Sequence, residues 1–277
     1  MRGSNHPVTG IPTYVRLGSI GSDGPAFLGP AYAAFDQGGK GRENMTLRLP
    51  EDRMTDRRQL LDGLDRLNRQ CDSSGFVAGM DKFKQQAYDL VLGSASAAFD
   101  IKKEKPETVA RYGNGLGTQL LTARRLCEAG CGFVTLSYGG WDMHGQIENA
   151  MKQRSPSLDQ AVSAFVEDVS TRGLQDNILL VISGEFGRTP RVNKNAGRDH
   201  WAPLSTLALS GGGLKMGQVV GESAAKVDVP KSPAINPQDL MATVFHVLGI
   251  DPKVQFLSTG GRPTYMLDKG KVISELV

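Results

Sequence analysis

The sequence predicts an α/β protein, and three segments carry that expectation. A helical pattern over 118–129 leads into a strand pattern over 132–137. A second helical pattern then leads into an unbroken apolar run, Asn177-Ile178-Leu179-Leu180-Val181-Ile182-Ser183. Alternation of this kind is how helices come to cover a mostly parallel sheet. The chain has 277 residues, enough for one large α/β domain or two modest ones. The expected organisation is an irregular and helical subregion over 1–115 followed by an α/β region over 116–277 that bears the candidate site, the two forming one interrupted domain.

Each element has its own signal. Residues 1–50 are rich in Gly and Pro (Gly24-Pro25, Gly29-Pro30, Gly38-Gly39-Lys40-Gly41) and lack periodicity, so irregular connections are expected. Leu60, Leu61, Leu64 and Leu67 recur at helical spacing within 55–70. Phe83, Ala87, Leu90 and Val91 line one stripe of a helix over 76–99, and the charged stretch 102–106 reads as a solvated face. The glycines of Tyr112-Gly113-Asn114-Gly115-Leu116-Gly117 lack a preceding strand and a Gly-Lys-Ser/Thr, so they read as a tight helix start rather than a phosphate cradle. Ser155-Pro156 offers a capping hydroxyl with Pro at the first helical position, and Leu158, Val162, Phe165 and Val169 give that helix its buried stripe until Arg172-Gly173. The run 177–183 is expected to be a strand buried on both faces, parallel to 132–137 through a βαβ crossover. Beyond it, 204–210 reads as a strand, Gly211-Gly212-Gly213 as a turn and 218–220 as a hairpin partner. Asn236-Pro237-Gln238-Asp239 opens a last helix that Gly249 ends.

Composition excludes several classes of function. Lys and Arg number 32 against 29 Asp and Glu, a net charge of +3, and no basic run is interleaved with aromatics, so a nucleic-acid partner is not expected. No apolar stretch is long enough to span a bilayer. Cys71, Cys127 and Cys131 form neither a disulfide framework nor a zinc ribbon, and Cys127 and Cys131 read as core filler. The first residues, Met1-Arg2-Gly3-Ser4-Asn5-His6-Pro7, show neither an apolar signal region nor a twin arginine.

The chemistry-bearing residues follow the two strands. Gly139-Gly140-Trp141-Asp142-Met143-His144-Gly145 follows the first, and Gly184-Glu185-Phe186-Gly187-Arg188 the second, where open α/β sheets place ligands. Asp142 and His144 are two apart, so an extended backbone turns both to one side. The loop 193–198 is long enough to bring Asp199 and His200 to the same edge, provided that the strand from Leu204 runs antiparallel. Asp142, His144, Glu185 and His200 make an oxygen-and-imidazole set suited to one or two divalent metals, zinc or manganese above all. Asp199 is expected to orient His200. Arg188 and Arg198, with Arg191 and Lys194 nearby, could clamp an anionic group, which suggests a small phosphate or sulfate ester as substrate. His6 and His246 read as structural, and Trp141 and Trp201 as packing walls.

The blocks Gly140-Trp141-Asp142-Met143-His144-Gly145, Gly184-Glu185-Phe186-Gly187-Arg188-Thr189-Pro190 and Gly197-Arg198-Asp199-His200-Trp201, in that order, resemble the DUF1501 family within the alkaline phosphatase and sulfatase-like superfamily. That resemblance implies a three-layer domain, a mostly parallel sheet with helices on both faces, and metals above the strand ends. Asp142, His144 and His200 match the trio holding one metal, and Glu185 an acidic ligand of a second. Phe186 stands where many members have a ligating histidine. The superfamily's first strand with its Asp ligand, and the Ser, Thr or modified Cys nucleophile after it, have no match before Thr55.

The expected function is therefore that of a metal-dependent hydrolase-like domain using metal-activated water on an anionic ester. The alternative is a non-catalytic exported scaffold or truncated pseudo-enzyme of the same superfamily. A carboxylic-ester hydrolase is disfavoured because no Gly-x-Ser-x-Gly elbow occurs. The resemblance also implies a carboxyl-terminal portion of a longer protein, a periplasmic or extracellular location for the full-length family, and an open sheet edge through which copies could form a homo-oligomer.

Overall fold

The computed structural model of the chain describes residues 5–6, 8–18, 24–25, 32–38, 53, 56–57, 95–258 and 260–277. Most of the helix expected over 55–70, residues 76–94 of the next, Cys71, Gly29-Pro30 and the 39–41 glycine cluster lie outside the described residues. The chain divides into two compact units, Met1–Gly139 with Gln160–Val162, and Gly140–Asp159 with Ser163–Val277. Helices and small sheets together make the fold mixed α/β. Among the described residues no helix is long and apolar enough to cross a membrane.

The first unit is built on β1 (Tyr14–Leu17), which pairs in parallel with β2 (Phe35–Asp36) on one side and β3 (Phe133–Leu136) on the other. Val15 and Leu17 are buried while Tyr14 and Arg16 are only partly covered, the period of two that a strand imposes. Helices α1 (Ala95–Phe99), α2 (Pro106–Tyr112) and α3 (Leu116–Glu128) accompany this sheet. Ile11, Val15, Leu17, Phe99, Leu126 and Cys131 share its apolar core, each large aliphatic or aromatic side chain contributing about 1.5–3 kcal/mol by burial. The reading of 1–50 as irregular is thereby corrected. A strand of four residues leaves almost no periodic trace among glycines and prolines, and its partner β3 lies far along the chain.

The tight helix start is present. Gly113 ends α2 with φ +77°, and a Cβ on Gly117 would lie 1.8 Å from the Tyr112 carbonyl oxygen. Only glycine lets α3 begin so close behind α2. The charged stretch 102–106 is solvated in part: Lys102, Lys103 and Lys105 are exposed, but Glu104 turns inward onto Arg124 at 2.8 Å and onto Arg125. Arg124 is fully buried and also meets Glu128 at 2.6 Å.

Helix α4 (Ile147–Thr171), which belongs to the second unit except for Gln160–Val162, carries Pro156 inside it, so the start expected at Ser155 is corrected to Ile147. The amides of Gln146 and Ile147 bond to the carbonyls of Asn195 and Ala196 at 3.0 and 2.9 Å. That tertiary anchor lets the helix begin a turn or more upstream, and Pro156 then removes a single backbone donor. β4 (Leu179–Ile182) is half-buried rather than buried throughout. Next come β5 (Gly187–Arg188) and β6 (His200–Trp201), which pair antiparallel, and β7 (Ala208–Gly211), which runs antiparallel to β4 as the placement of His200 requires.

The two strands expected to share one parallel βαβ sheet are hydrogen-bonded elsewhere: β3 to β1, and β4 to β7. Their partners come from distant sequence, which local periodicity does not reveal. The hairpin strand expected over 218–220 is absent, because Gln218 turns back to donate to the carbonyls of Lys215 and Glu275, both at 2.8 Å. α5 (Pro237–Val247) starts as expected, the Asp239 carboxylate accepting from the Asn236 amide at 2.8 Å.

Candidate metal centre

Two loops and one two-residue ribbon assemble the site within the second unit. Met143 is buried and its carbonyl accepts from the Arg198 amide at 3.0 Å, so its exposed neighbours Asp142 and His144 turn outward on the same side. β5 and β6 then set Arg188 directly opposite His200. The loop between them is pinned to the Asp142 loop where Gly145 bridges to Ala196. Gly197 makes the contact close: a Cβ there would lie 2.1 Å from the His144 carbonyl carbon and 2.3 Å from the Gly145 nitrogen. Backbone against backbone leaves room for glycine alone.

Three donor atoms converge as a result. His144 Nε2 lies 3.0 Å from Asp142 Oδ1 and 3.2 Å from His200 Nε2, and His200 Nε2 lies 2.9 Å from Asp142 Oδ1. Asp199 Oδ1 sits 2.8 Å from His144 Nδ1. An ionised carboxylate can only accept, so Nδ1 of His144 donates its hydrogen to Asp199, and Nε2 is the ring nitrogen turned to the triangle. Two imidazole nitrogens and a carboxylate oxygen at such separations repel one another unless a proton or a cation lies among them. This donor set is one that borderline divalent ions accept, so the residues fit a metal.

Hydrogen bonds from His200 and Arg188 lower the Asp142 carboxyl to about 2, and those from His144 and Asn193 lower Asp199 below its ordinary range. Both carboxylates are therefore ionised at neutral pH.

Several expected roles change. Glu185 is exposed and its carboxylate is not among the grouped donor atoms. The ring of its neighbour Phe186 takes the place against His200 instead, with centroids 4.3 Å apart. Asp199 orients His144 rather than His200, since its carboxylate reaches Nδ1 of the former. Arg198, expected to clamp an anion, is engaged with its own loop: its Nη1 donates to the carbonyls of Thr189 and Pro190 at 2.6 and 2.7 Å. Arg188 does reach the site, donating to Asp142 Oδ1 at 2.7 Å. Trp201 packs as a wall, its indole donating to the Asp228 carbonyl at 2.6 Å. His6 is structural, Nδ1 accepting from the amides of Val8 and Thr9.

Asn193 was not legible as a site residue, though it is the hub of the loop. Its Oδ1 accepts from the amides of Asn195 and Gly197 at 2.9 and 3.0 Å, and its Nδ2 donates to the His144 carbonyl and to Asp199 Oδ1, both at 3.1 Å. The available signal was an Asn four residues before a Gly in a polar loop, which marks a turn but not what the turn supports.

Fold and site together define a mixed α/β protein with an exposed Asp/His/His cluster able to hold a divalent ion. The family model described as "Protein of unknown function (DUF1501)" matches residues 2–277, so the chain belongs to the DUF1501 family. No curated protein and no solved structure is significantly similar to it.

Proposed function

We propose that Asp142, His144 and His200 hold one divalent ion, zinc or manganese, and that the chain is a hydrolase-like domain of the alkaline phosphatase and sulfatase-like kind, with that superfamily's layered sheet, acting on a small phosphate or sulfate ester. The observation that carries this reading is the convergence of three ligand atoms from two separate segments of the chain, all within 4.8 Å of one another, with Nδ1 of one imidazole engaged by Asp199 so that its Nε2 faces the group.

A divalent ion in such a site would polarise an ester oxygen and make water more acidic. The chain's own residues supply the rest. Asp199 fixes the His144 ring, and Arg188 places a guanidinium beside Asp142 where an anionic ester would meet it. Exposure of Asp142, His144 and His200 leaves the centre open to a substrate from solvent.

Turnover of p-nitrophenyl phosphate and p-nitrophenyl sulfate with added zinc or manganese tests the reading. Hydrolysis of either, lost in His200→Ala, supports it. The contact of Phe186 with His200, and the exclusion of Glu185 from the donor group, favour a second reading, a non-catalytic binding module with one ion. Absence of turnover on phosphate, sulfate and carboxylic esters by ion-loaded protein would select that module.

A further inference from the structure

Asn193 makes four hydrogen bonds with its side chain, and they divide by atom. The oxygen accepts from two amides of its own loop, those of Asn195 and Gly197, and so shapes the turn. The nitrogen donates to two groups that govern His144: the main-chain carbonyl of His144 and the Asp199 oxygen that receives the ring's Nδ1 hydrogen. Both partners of the nitrogen are acceptors and both partners of the oxygen are donors, so only one orientation of the amide satisfies the network.

We propose that Asn193 is the positioning residue of the Asp142/His144/His200 centre, setting the place and tautomer of the His144 ring without touching the ion; this deepens the metal-centre reading and rests on it. One side chain fastens both ends of His144, its carbonyl directly and its ring through Asp199. The Asp199 carboxylate, held by Asn193 on one side, has its amide held by the Thr189 hydroxyl at 3.1 Å on another, which leaves the ring a fixed acceptor. Outer groups that hold a ligating histidine in this manner change ion affinity about 10- to 100-fold when removed.

Asparagine is the residue type that serves both halves. Aspartate keeps the acceptor half, and with it the turn, but cannot donate to the His144 carbonyl and sets a like charge against Asp199. Asn193→Asp therefore separates loop structure from ring positioning, and Asp199→Asn interrupts the same path one link further on with almost no change of shape.

The test uses the full chain stripped with chelator. Zinc chloride and manganese chloride are titrated into wild type, Asn193→Asp and Asp199→Asn by calorimetry. Nitrogen-15 NMR of the ion-free proteins reads the His144 tautomer. Expected is a single Nδ1–H tautomer in wild type, a mixed population in both variants, and ion affinity lower by about 10- to 100-fold in Asn193→Asp with the same circular dichroism as wild type. An unchanged tautomer and unchanged affinity in Asn193→Asp would overturn the proposal. If wild type takes up neither ion, the metal reading fails on its own, and the tautomer comparison alone then upholds or rejects the control of His144 by Asn193.

Discussion

The chain contains two charged clusters of similar make-up and opposite setting. In the first unit Arg124, fully buried, is gripped by Glu104 and Glu128, with Arg125 also on Glu104 and capping the carbonyls of Ala97 and Ala98. Opposite charges match there, and the guanidinium's stem is covered by protein. In the second unit Asp142, His144, Asp199, His200 and Arg188 are gathered where water reaches them, and two imidazole nitrogens face each other across 3.2 Å. The buried cluster is complementary within itself and serves stability. The exposed one also pairs Asp142 with Arg188 and Asp199 with His144, but it leaves two imidazole nitrogens and a carboxylate oxygen facing one another in reach of water. Charge clustering alone says little; whether the cluster completes itself says a great deal.

The sharpest way to break that contrast is Glu104→Ala. Removing a carboxylate from a buried guanidinium is expected to cost about 3–5 kcal/mol in urea denaturation, with zinc uptake by the folded protein unchanged. A loss under about 1 kcal/mol would mean that the first cluster is no more structural than the second. Gly197→Ala probes the other side: its Cβ meets the His144 backbone at 2.1 Å, so ion binding should fail while stability falls by only about 2 kcal/mol. Retained zinc affinity in that variant would show that the close crossing of the two loops is not what aligns the donors.

Arg198→Met should cost about 1.5 kcal/mol by freeing the carbonyls of Thr189 and Pro190, and it should leave any preference between phosphate and sulfate esters unaltered. A change in that preference would restore Arg198 as an anion contact. The smallest effect concerns pH in the first unit. Burial pushes the Cys127 thiol up to about 12 and Cys131 to about 11. Unfolded thiols release their protons first, near 9, so the stabilisation is complete well below that value and is lost as pH rises through it toward 11 and 12. From pH 7 to 9 the expected loss is about 1 kcal/mol, absent in the Cys127→Ala, Cys131→Ala double variant.

Much of this was open to reading from residues alone. The Asp-Met-His triplet stood out because two ligand types spaced by two share a side, and His200 was a candidate through the length of its loop, on the condition of an antiparallel return that β7 meets. The cap of α5 and the glycines before α3 were equally plain, since both are local chemistry. What escaped was set by distant partners. β1 exists because β3 pairs with it, and α4 starts early because Asn195 and Ala196 anchor its first amides. Asp199 meets His144 rather than its neighbour His200 because the loop crossing puts Nδ1 within reach, and it is Phe186, not Glu185, that lies against His200. Spacing names candidates for a site, but tertiary register selects among them.

Elemental analysis of the full chain, stripped and reloaded with zinc or manganese, is the most direct test of the Asp142/His144/His200 centre. Expected is about one ion per chain in wild type and in Glu185→Ala, and none in His144→Ala or His200→Ala. Wild-type protein without ion, or His144→Ala carrying as much as wild type, would contradict it.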